Sequence, residues 1–394
     1  MKNKFTALLI TVLLSIPLQG KACSMYKITK NGKTVVGNNE DYLSPNSQFW
    51  YENPSDKQFG VMYMGQLDHF AQGAINDKGL VFDGFYAPYL PINNSEGKIK
   101  ISIGKAMRKI MQTMSDVTQV KAYLETIDLS SLTSSMVVFV DKSGAYLIVE
   151  GDEMIIGADL EKSFSNFYYS QTENLDQVNL DYFQNGQQFL NASKGKPTLD
   201  YCSEAMGHFA QKESISPTQY STVYDLNALK VRVYLFHDYS QFVEIDLKSE
   251  FTKGNHQTMI ADLFPKQSIG YQHYLKYNNP QQPTLFIEEI IGTQKFSEAQ
   301  LEALDFADDI NKIGYEWLKD KQNPMAAIKV FEYAIGLMPN NSDLYDSLGE
   351  AYLENKDWNN AIKNYEKSLA LNPENENAIE KILKCKTEVE SSKN

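Results

Sequence analysis

An α+β fold followed by an all-α module is predicted for this chain, on three observations. Before about residue 295, short β-branched and aromatic runs recur between turn residues. Helical segments interrupt them in no regular alternation, which fits an α+β sandwich better than a βαβ array. After residue 295 the pattern turns helical and repeats every 34 residues.

The chain opens with Lys2 and Lys4, an apolar run from Phe5 to Pro17, and Gly20-Lys21-Ala22 before Cys23. That order predicts a signal peptide over residues 1–22, cut on the amino side of Cys23, and hence an exported protein, periplasmic or secreted. Lipoprotein processing at Cys23 is the alternative, and it calls for an aliphatic residue where Gly20 stands. Next, Met25 to Ile28 and Lys33 to Val36 read as a hairpin about Asn31-Gly32, leading into Gly37-Asn38-Asn39-Glu40-Asp41-Tyr42. Further strands are expected at Gly60 to Met64, at Met136 to Val140 and Tyr146 to Glu150 around Lys142-Ser143-Gly144, and at Glu153 to Ile156. A last hairpin pairs Val231 to His237 with Gln241 to Leu247. Helices are expected from Ile103 to Glu125 and from Thr198 to Gln211.

In the helical part, Ala327, Phe331, Ala334 and Pro339 recur as Ala361, Tyr365, Ser368 and Pro373. Ile313-Gly314 with Trp317 matches Leu348-Gly349 with Tyr352 one residue out of phase, which predicts a longer inter-helix turn at Lys321-Gln322-Asn323-Pro324 in the first repeat. The stretch from Asp309 to Leu383 resembles the tetratricopeptide family, with a capping helix from Asn377 to Lys386. Two repeats fall short of the three an independent solenoid needs, so the module should pack on what precedes it. The division expected is 23–294 and 295–394, and both a stabilising appendage and a groove for a protein partner fit the second part.

Charge narrows the function. There are 37 basic residues against 50 acidic, a formal net charge of −13, and loss of Lys2, Lys4 and Lys21 with the leader makes the balance more acidic. Such a surface repels nucleic acid and anionic lipid. Arg108 and Arg232 are the only arginines, so bidentate phosphate clamps are scarce. Three cysteines suggest no disulfide framework, and the five histidines lack metal-ligand spacing.

Chemistry centres on Cys23. Freed at its amino side, it would combine a thiol of pKa about 8.5 with an α-amine of pKa about 8, matched to take the thiol proton near neutrality. The hairpin returns Asn38 and Asp41 to its neighbourhood. A processed cysteine, a hairpin and a Gly-x-Asn-x-Asp-aromatic segment resemble the choloylglycine hydrolase and penicillin acylase group of N-terminal nucleophile hydrolases, with its penicillin-nucleus acyltransferase relatives. Gly73-Ala74-Ile75-Asn76-Asp77-Lys78-Gly79-Leu80 is similar to a further element of that group, and Ser165-Asn166-Phe167 to another; the closing hairpin fits Tyr220 to Leu226 and the strand from Val231.

The resemblance, over about Cys23 to Leu247, implies an αββα sandwich and four catalytic residues. Cys23 would be the nucleophile and Asp41 the partner of its ammonium, with Asn76 and Asn166 as oxyanion donors. Asn38 falls at the substrate-facing position where the group carries arginine, which disfavours an anionic conjugate. Aromatic runs such as Phe49-Trp50-Tyr51 and Phe82-Asp83-Gly84-Phe85-Tyr86 suit an apolar acyl pocket or a core. The expectation is therefore a cofactor-independent cysteine amidohydrolase acting on a small N-acyl amide through a thioester. Acyl transfer is a close variant, and a lipid-anchored, non-catalytic interaction protein is the contrasting reading.

Overall fold

The computed structural model describes residues 23–212, 214–292 and 296–391. The leader expected over 1–22 lies outside the described residues. Two antiparallel sheets stack face to face, with helices on both outer faces: an αββα sandwich, as expected. The first sheet has the order β10-β1-β2-β11-β12-β13, from β1 (Ser24–Lys30), β2 (Lys33–Asp41), β10 (Glu161–Ser165), β11 (Thr218–Asp225), β12 (Lys230–Leu235) and β13 (Val243–Asp246). The second runs β14-β3-β4-β5-β6-β7-β8-β9, from β3 (Ser47–Glu52), β4 (Val61–Gln66), β5 (Ala71–Asn76), β6 (Val81–Tyr86), β7 (Ser135–Val140), β8 (Tyr146–Glu150), β9 (Glu153–Gly157) and β14 (His256–Met259).

Alternation along the strands distributes side chains between three apolar cores. Met25, Phe49, Ile75 and Phe85 fill the space between the sheets. Their neighbours in sequence face outward: Tyr26 joins Phe183 and Met206 under the helices α3 (Asp181–Ala192) and α4 (Leu199–Phe209). On the opposite side Ala74 and Phe82 meet Ile110 and Val120 of α1 (Ile103–Thr113) and α2 (Val117–Leu124). Strands buried on both faces read as continuous apolar or small runs, and β11 is buried at every position. Gly37 lets α4 lie close on β2, since a Cβ there would stand 2.5 Å from Met206 Cγ and 2.9 Å from Cys202 Sγ.

The aromatic runs considered for an acyl pocket are mostly core: Phe49 and Phe85 lie between the sheets, Phe82 and Trp50 against the outer helices. The single helix expected from Ile103 to Glu125 is two. Asp116 breaks it by accepting hydrogen bonds from the backbone N–H groups of Thr118 and Gln119, capping a new helix where the first ends.

After the short α5 (Leu247–Glu250), the helices α6 (Ile269–Tyr277), α7 (Leu285–Gly292), α8 (Glu298–Ala303), α9 (Phe306–Tyr315), α10 (Pro324–Leu337), α11 (Ser342–Glu354), α12 (Trp358–Leu371) and α13 (Glu376–Ser391) follow. Paired packing of α9 to α13 gives the helical-repeat architecture. The phase slip in the first repeat is not a longer loop. Residues 321–323 link α9's continuation to α10, and residues 355–357 link α11 to α12, three residues in each case. The extra residue is taken up within the helix, as a π turn over Glu316–Asp320.

Packing runs across residue 294. Tyr277, Phe286, Ile287 and Ile291 share one apolar cluster with Phe331 and Leu348 of the repeats and with Leu43 and Ile215 of the sandwich. A polar joint locks the contact: the buried Glu316 carboxylate accepts from Ser44 Oγ (2.8 Å), Asn46 Nδ2 (2.5 Å) and Tyr277 OH (3.1 Å). Three donors on one buried carboxylate fix the π turn of the first repeat against the segment that follows β2.

Candidate active site

The β1–β2 hairpin sets the geometry. Asn31 and Gly32 both have positive φ, 55° and 74°, so a two-residue turn closes the strands in fixed register. Ser24 pairs with Asn39 and Met25 with Asn38, which sets Cys23 opposite Glu40. Paired residues share a face, so Cys23, Asn38 and Glu40 point between the sheets, while Asn39 and Asp41 point toward α4.

Cys23 stands at the head of β1, 5% exposed, within the inter-sheet core. Its thiol donates to Glu40 Oε2 at 3.5 Å, and the backbone N–H of Asp41 bonds to the sulfur. Asn38 Nδ2 donates to the other Glu40 oxygen at 2.8 Å. Across the gap, β6 brings Asp83 against Glu40, although Glu40 and Asp83 lie far apart in sequence. Tyr220, paired with Glu40 in β11, and Tyr42 complete the surroundings.

Burial controls the electrostatics. It pushes the Cys23 thiol well above its ordinary value, and the Glu40, Asp41 and Asp83 carboxyls push it further in the same direction. Burial likewise raises Glu40 and Asp83; the Glu40 carboxylate raises Asp83 further, whereas the hydrogen bond from Asp83 favours the ionised Glu40, so Asp83 is the member of the pair that holds its proton more tightly. A thiolate is therefore not the resting state, and the thiol needs a base at the moment of attack. Among the described residues, no cation faces this group. Arg232 is committed elsewhere, to Asp200 at 2.6 Å and Glu244 at 2.8 Å.

The site residues read from the sequence meet different fates. Asp41 lies next to Cys23 but with its carboxylate on the opposite face of the sheet, accepting from Thr218 Oγ1 (2.5 Å) and Gln211 Nε2 (2.8 Å). Asn166 follows Ser165, whose backbone pairs with Ser24 and whose hydroxyl donates to the Cys23 carbonyl at 2.9 Å. Its amide nitrogen donates to the Tyr86 carbonyl at 2.7 Å. Asn38 belongs to the cluster, and its Oδ1 is buried without a hydrogen-bond partner.

Asn76 is a correction. It sits at the far end of β5 on the outer face, and its amide donates to the carbonyls of Met111 (2.9 Å) and Met114 (2.8 Å) at the end of α1. Its Oδ1 accepts from the N–H groups of Lys78 and Leu80. All of its capacity is spent on shaping the turn Asp77-Lys78-Gly79, where Gly79 has φ +79°, and on fastening it to the helix layer. The motif is a turn, and Asn76 holds no oxyanion.

Glu40 and Asp83 were missed. Glu40 occupies the unspecified position of the Asn-x-Asp segment, yet the two-residue turn at Asn31-Gly32 already implies its pairing with Cys23. Asp83 gave no such signal, because it arrives on another sheet.

The buried carboxyls give a clear expectation for stability. A carboxyl whose folded pKa is raised binds protons in the folded state that the unfolded chain has released, so its contribution is present below the unfolded pKa and lost as pH rises through the folded one. Glu40→Gln removes that loss while keeping the shape. Its melting temperature should exceed that of the parent at pH 8 by several degrees, on the order of 2–4 °C per kcal/mol, with the gap closing toward pH 5. Scanning fluorimetry across that range checks it, and an equal or lower melting temperature for Glu40→Gln at pH 8 contradicts it.

No curated protein matches the chain. The tetratricopeptide repeat family matches residues 342–375. Among solved structures, the chain is similar to a mutant conjugated bile acid hydrolase from Clostridium perfringens, with TM-score 0.47 and 15% identity over 60% of this chain and 96% of that one. It is similar to penicillin V acylase from Agrobacterium tumefaciens, with TM-score 0.46 and 14% identity over 57% and 86%. A third is the Caenorhabditis elegans ortholog of N-acylethanolamine-hydrolyzing acid amidase, with TM-score 0.40 and 11% identity over 60% and 99%. These are structures of the group that the sequence resembles.

Proposed function

We propose that this chain is an exported N-terminal cysteine amidohydrolase that cleaves the C–N bond of an N-acyl amide. One observation carries the reading: Cys23 heads β1 in the space between the sheets, with its thiol hydrogen-bonded to Glu40 and to the backbone of Asp41. In this reading removal of residues 1–22 leaves an α-amine on the residue that bears the thiol, within the plane of the sheet, with Asp41 beside it on one face.

The proposed chemistry follows from the electrostatics. Because burial, and after it the surrounding carboxyls, disfavour a resting thiolate, proton transfer to the amine accompanies attack of sulfur on the amide carbon. The C–S bond forms and the carbonyl oxygen takes the negative charge; Asn166, next to the Ser165 that bonds the Cys23 carbonyl, is the proposed side-chain donor to it, its amide turning from the Tyr86 carbonyl as substrate binds. One such donor is worth about 3 kcal/mol. The ammonium returns its proton to the nitrogen as the C–N bond breaks, and water releases the acyl group from the thioester. Burial of the sulfur in the inter-sheet core counts against the lipid-anchored alternative, since a thioether-linked lipid there would displace packed side chains.

Release of primary amine from N-acyl amides, lost when Cys23 is alkylated, tests the proposal. A broad panel left uncleaved by the mature protein overturns it.

A further inference from the structure

Between the sandwich and the first repeat lies a cleft of about 460 Å³. Tyr42, Leu43, Asp68 and Phe70 form its wall on the sandwich side. The facing wall comes from α9 and the π turn, with Asp309, Ile313 and Asp320. We propose that this cleft binds the substrate, and that it selects an N-acyl amide carrying a cationic group; the inference rests on the amidohydrolase reading for the identity of the ligand.

Position is the first argument. Tyr42 lies in the cleft wall and directly follows Asp41, and its hydroxyl favours the ionised form of the Glu40 carboxyl that accepts the Cys23 thiol. Tyr42 is therefore the residue that joins the cleft wall to the surroundings of the nucleophile. Behind Tyr42, around the same carboxyl, Asn38 Oδ1 and the Tyr220 hydroxyl are 2% and 1% exposed by residue and have no partner. Buried polar atoms of this kind cost free energy unless something pairs with them.

Chemistry is the second. Phe70 is 54% exposed, an apolar wall open to an acyl chain or carbon stem. Charge in the cleft is predominantly negative. Asp68 and Asp320 are exposed at the rim, whereas Lys319 is held by Glu350 (2.8 Å) and Glu354 (3.1 Å) and Lys312 lies 3.9 Å from Asp309. An ammonium would find complementary charge there, and a carboxylate or sulfonate would be repelled.

The repeat supplies its wall by a specific local device. The residue that breaks the repeat's phase is spent on the π turn, which carries Glu316 into the joint with Ser44, Asn46 and Tyr277 and leaves Asp320 at the rim. Such turns recur where a helix must present side chains to a function. In this proposal the helical repeats are a wall of the enzyme's cleft rather than an appendage.

Binding to the full-length Cys23→Ala protein tests this without any need for turnover. Calorimetry with N-octanoylputrescine, N-octanoylpropylamine and N-octanoylglycine should rank the cationic amide at least tenfold tighter than the anionic one. The double variant Asp68→Asn, Asp320→Asn, with its fold verified by circular dichroism, should reduce that preference at least fivefold. Equal binding of the three, the reverse order, no binding, or an unaltered preference in the double variant overturns the proposal. Cleavage of the neutral amide by the parent protein, measured alongside, reports on the amidohydrolase reading separately: cleavage without charge preference sinks only the cleft assignment.

Discussion

Cys23→Ala should lower kcat/KM for any N-acyl amide by at least about 10⁴-fold, the scale seen when a covalent nucleophile is removed from a group that acts as a unit. The fold should survive. The substitution deletes one buried sulfur from a core shared with Met25, Phe49, Phe85 and many others, and a change of that size costs on the order of 1 kcal/mol. Far-ultraviolet circular dichroism and a melting temperature within a few degrees of the parent's would separate lost chemistry from lost structure. Cys23→Ser should fall less far, since a hydroxyl hydrogen-bonded to Glu40 remains a nucleophile, though a weaker one at neutral pH. A Cys23→Ala protein that kept more than a few per cent of turnover would remove Cys23 from the mechanism.

The second large effect concerns the base. A methionine retained before Cys23 converts the α-amine into an amide nitrogen with no useful basicity, and general-base catalysis typically contributes 10²- to 10⁴-fold. Activity should drop by that factor and return on trimming to Cys23. The outcome also discriminates between two bases. Glu40 already accepts the thiol hydrogen bond, and its raised proton affinity makes it a chemically competent acceptor. An extended protein with full activity would assign the proton to Glu40 and reduce the amine to a bystander.

Much of this was legible in the chain. Alternating β-branched runs gave the sandwich, and the 34-residue recurrence of Ala327 and Phe331 as Ala361 and Tyr365 gave the helical repeats. The hairpin was readable down to its register: once Asn31-Gly32 is a two-residue turn, Cys23 must face Glu40, and Asp41 must face the other way. The resemblance drew the eye to Asp41 and past Glu40. Asn76 misled for a similar reason, because an asparagine two residues before a lysine and three before a glycine serves a turn as readily as an oxyanion.

What could not be read was whatever depended on pairing between distant segments. Asp83 meets Glu40 only because β6 of one sheet crosses over β2 of the other. Glu316 reaches Ser44 and Asn46 because one extra residue is absorbed as a π turn, whereas local sequence allowed an equally plausible longer loop at Lys321 to Pro324. Helix breaks at single caps, such as Asp116, are likewise settled by tertiary fit as much as by local pattern.

The central claim is that Cys23, freed at its amino terminus, carries the acyl group. Intact and peptide mass spectrometry of the protein recovered from its native host, quenched in acid during turnover of an N-acyl amide, addresses it in one measurement. The account predicts a chain that begins at Cys23 with an unmodified α-amine and carries one acyl group as a thioester on that residue. A turnover-competent chain that retains residues before Cys23, or one whose Cys23 is lipidated or never acylated, contradicts it.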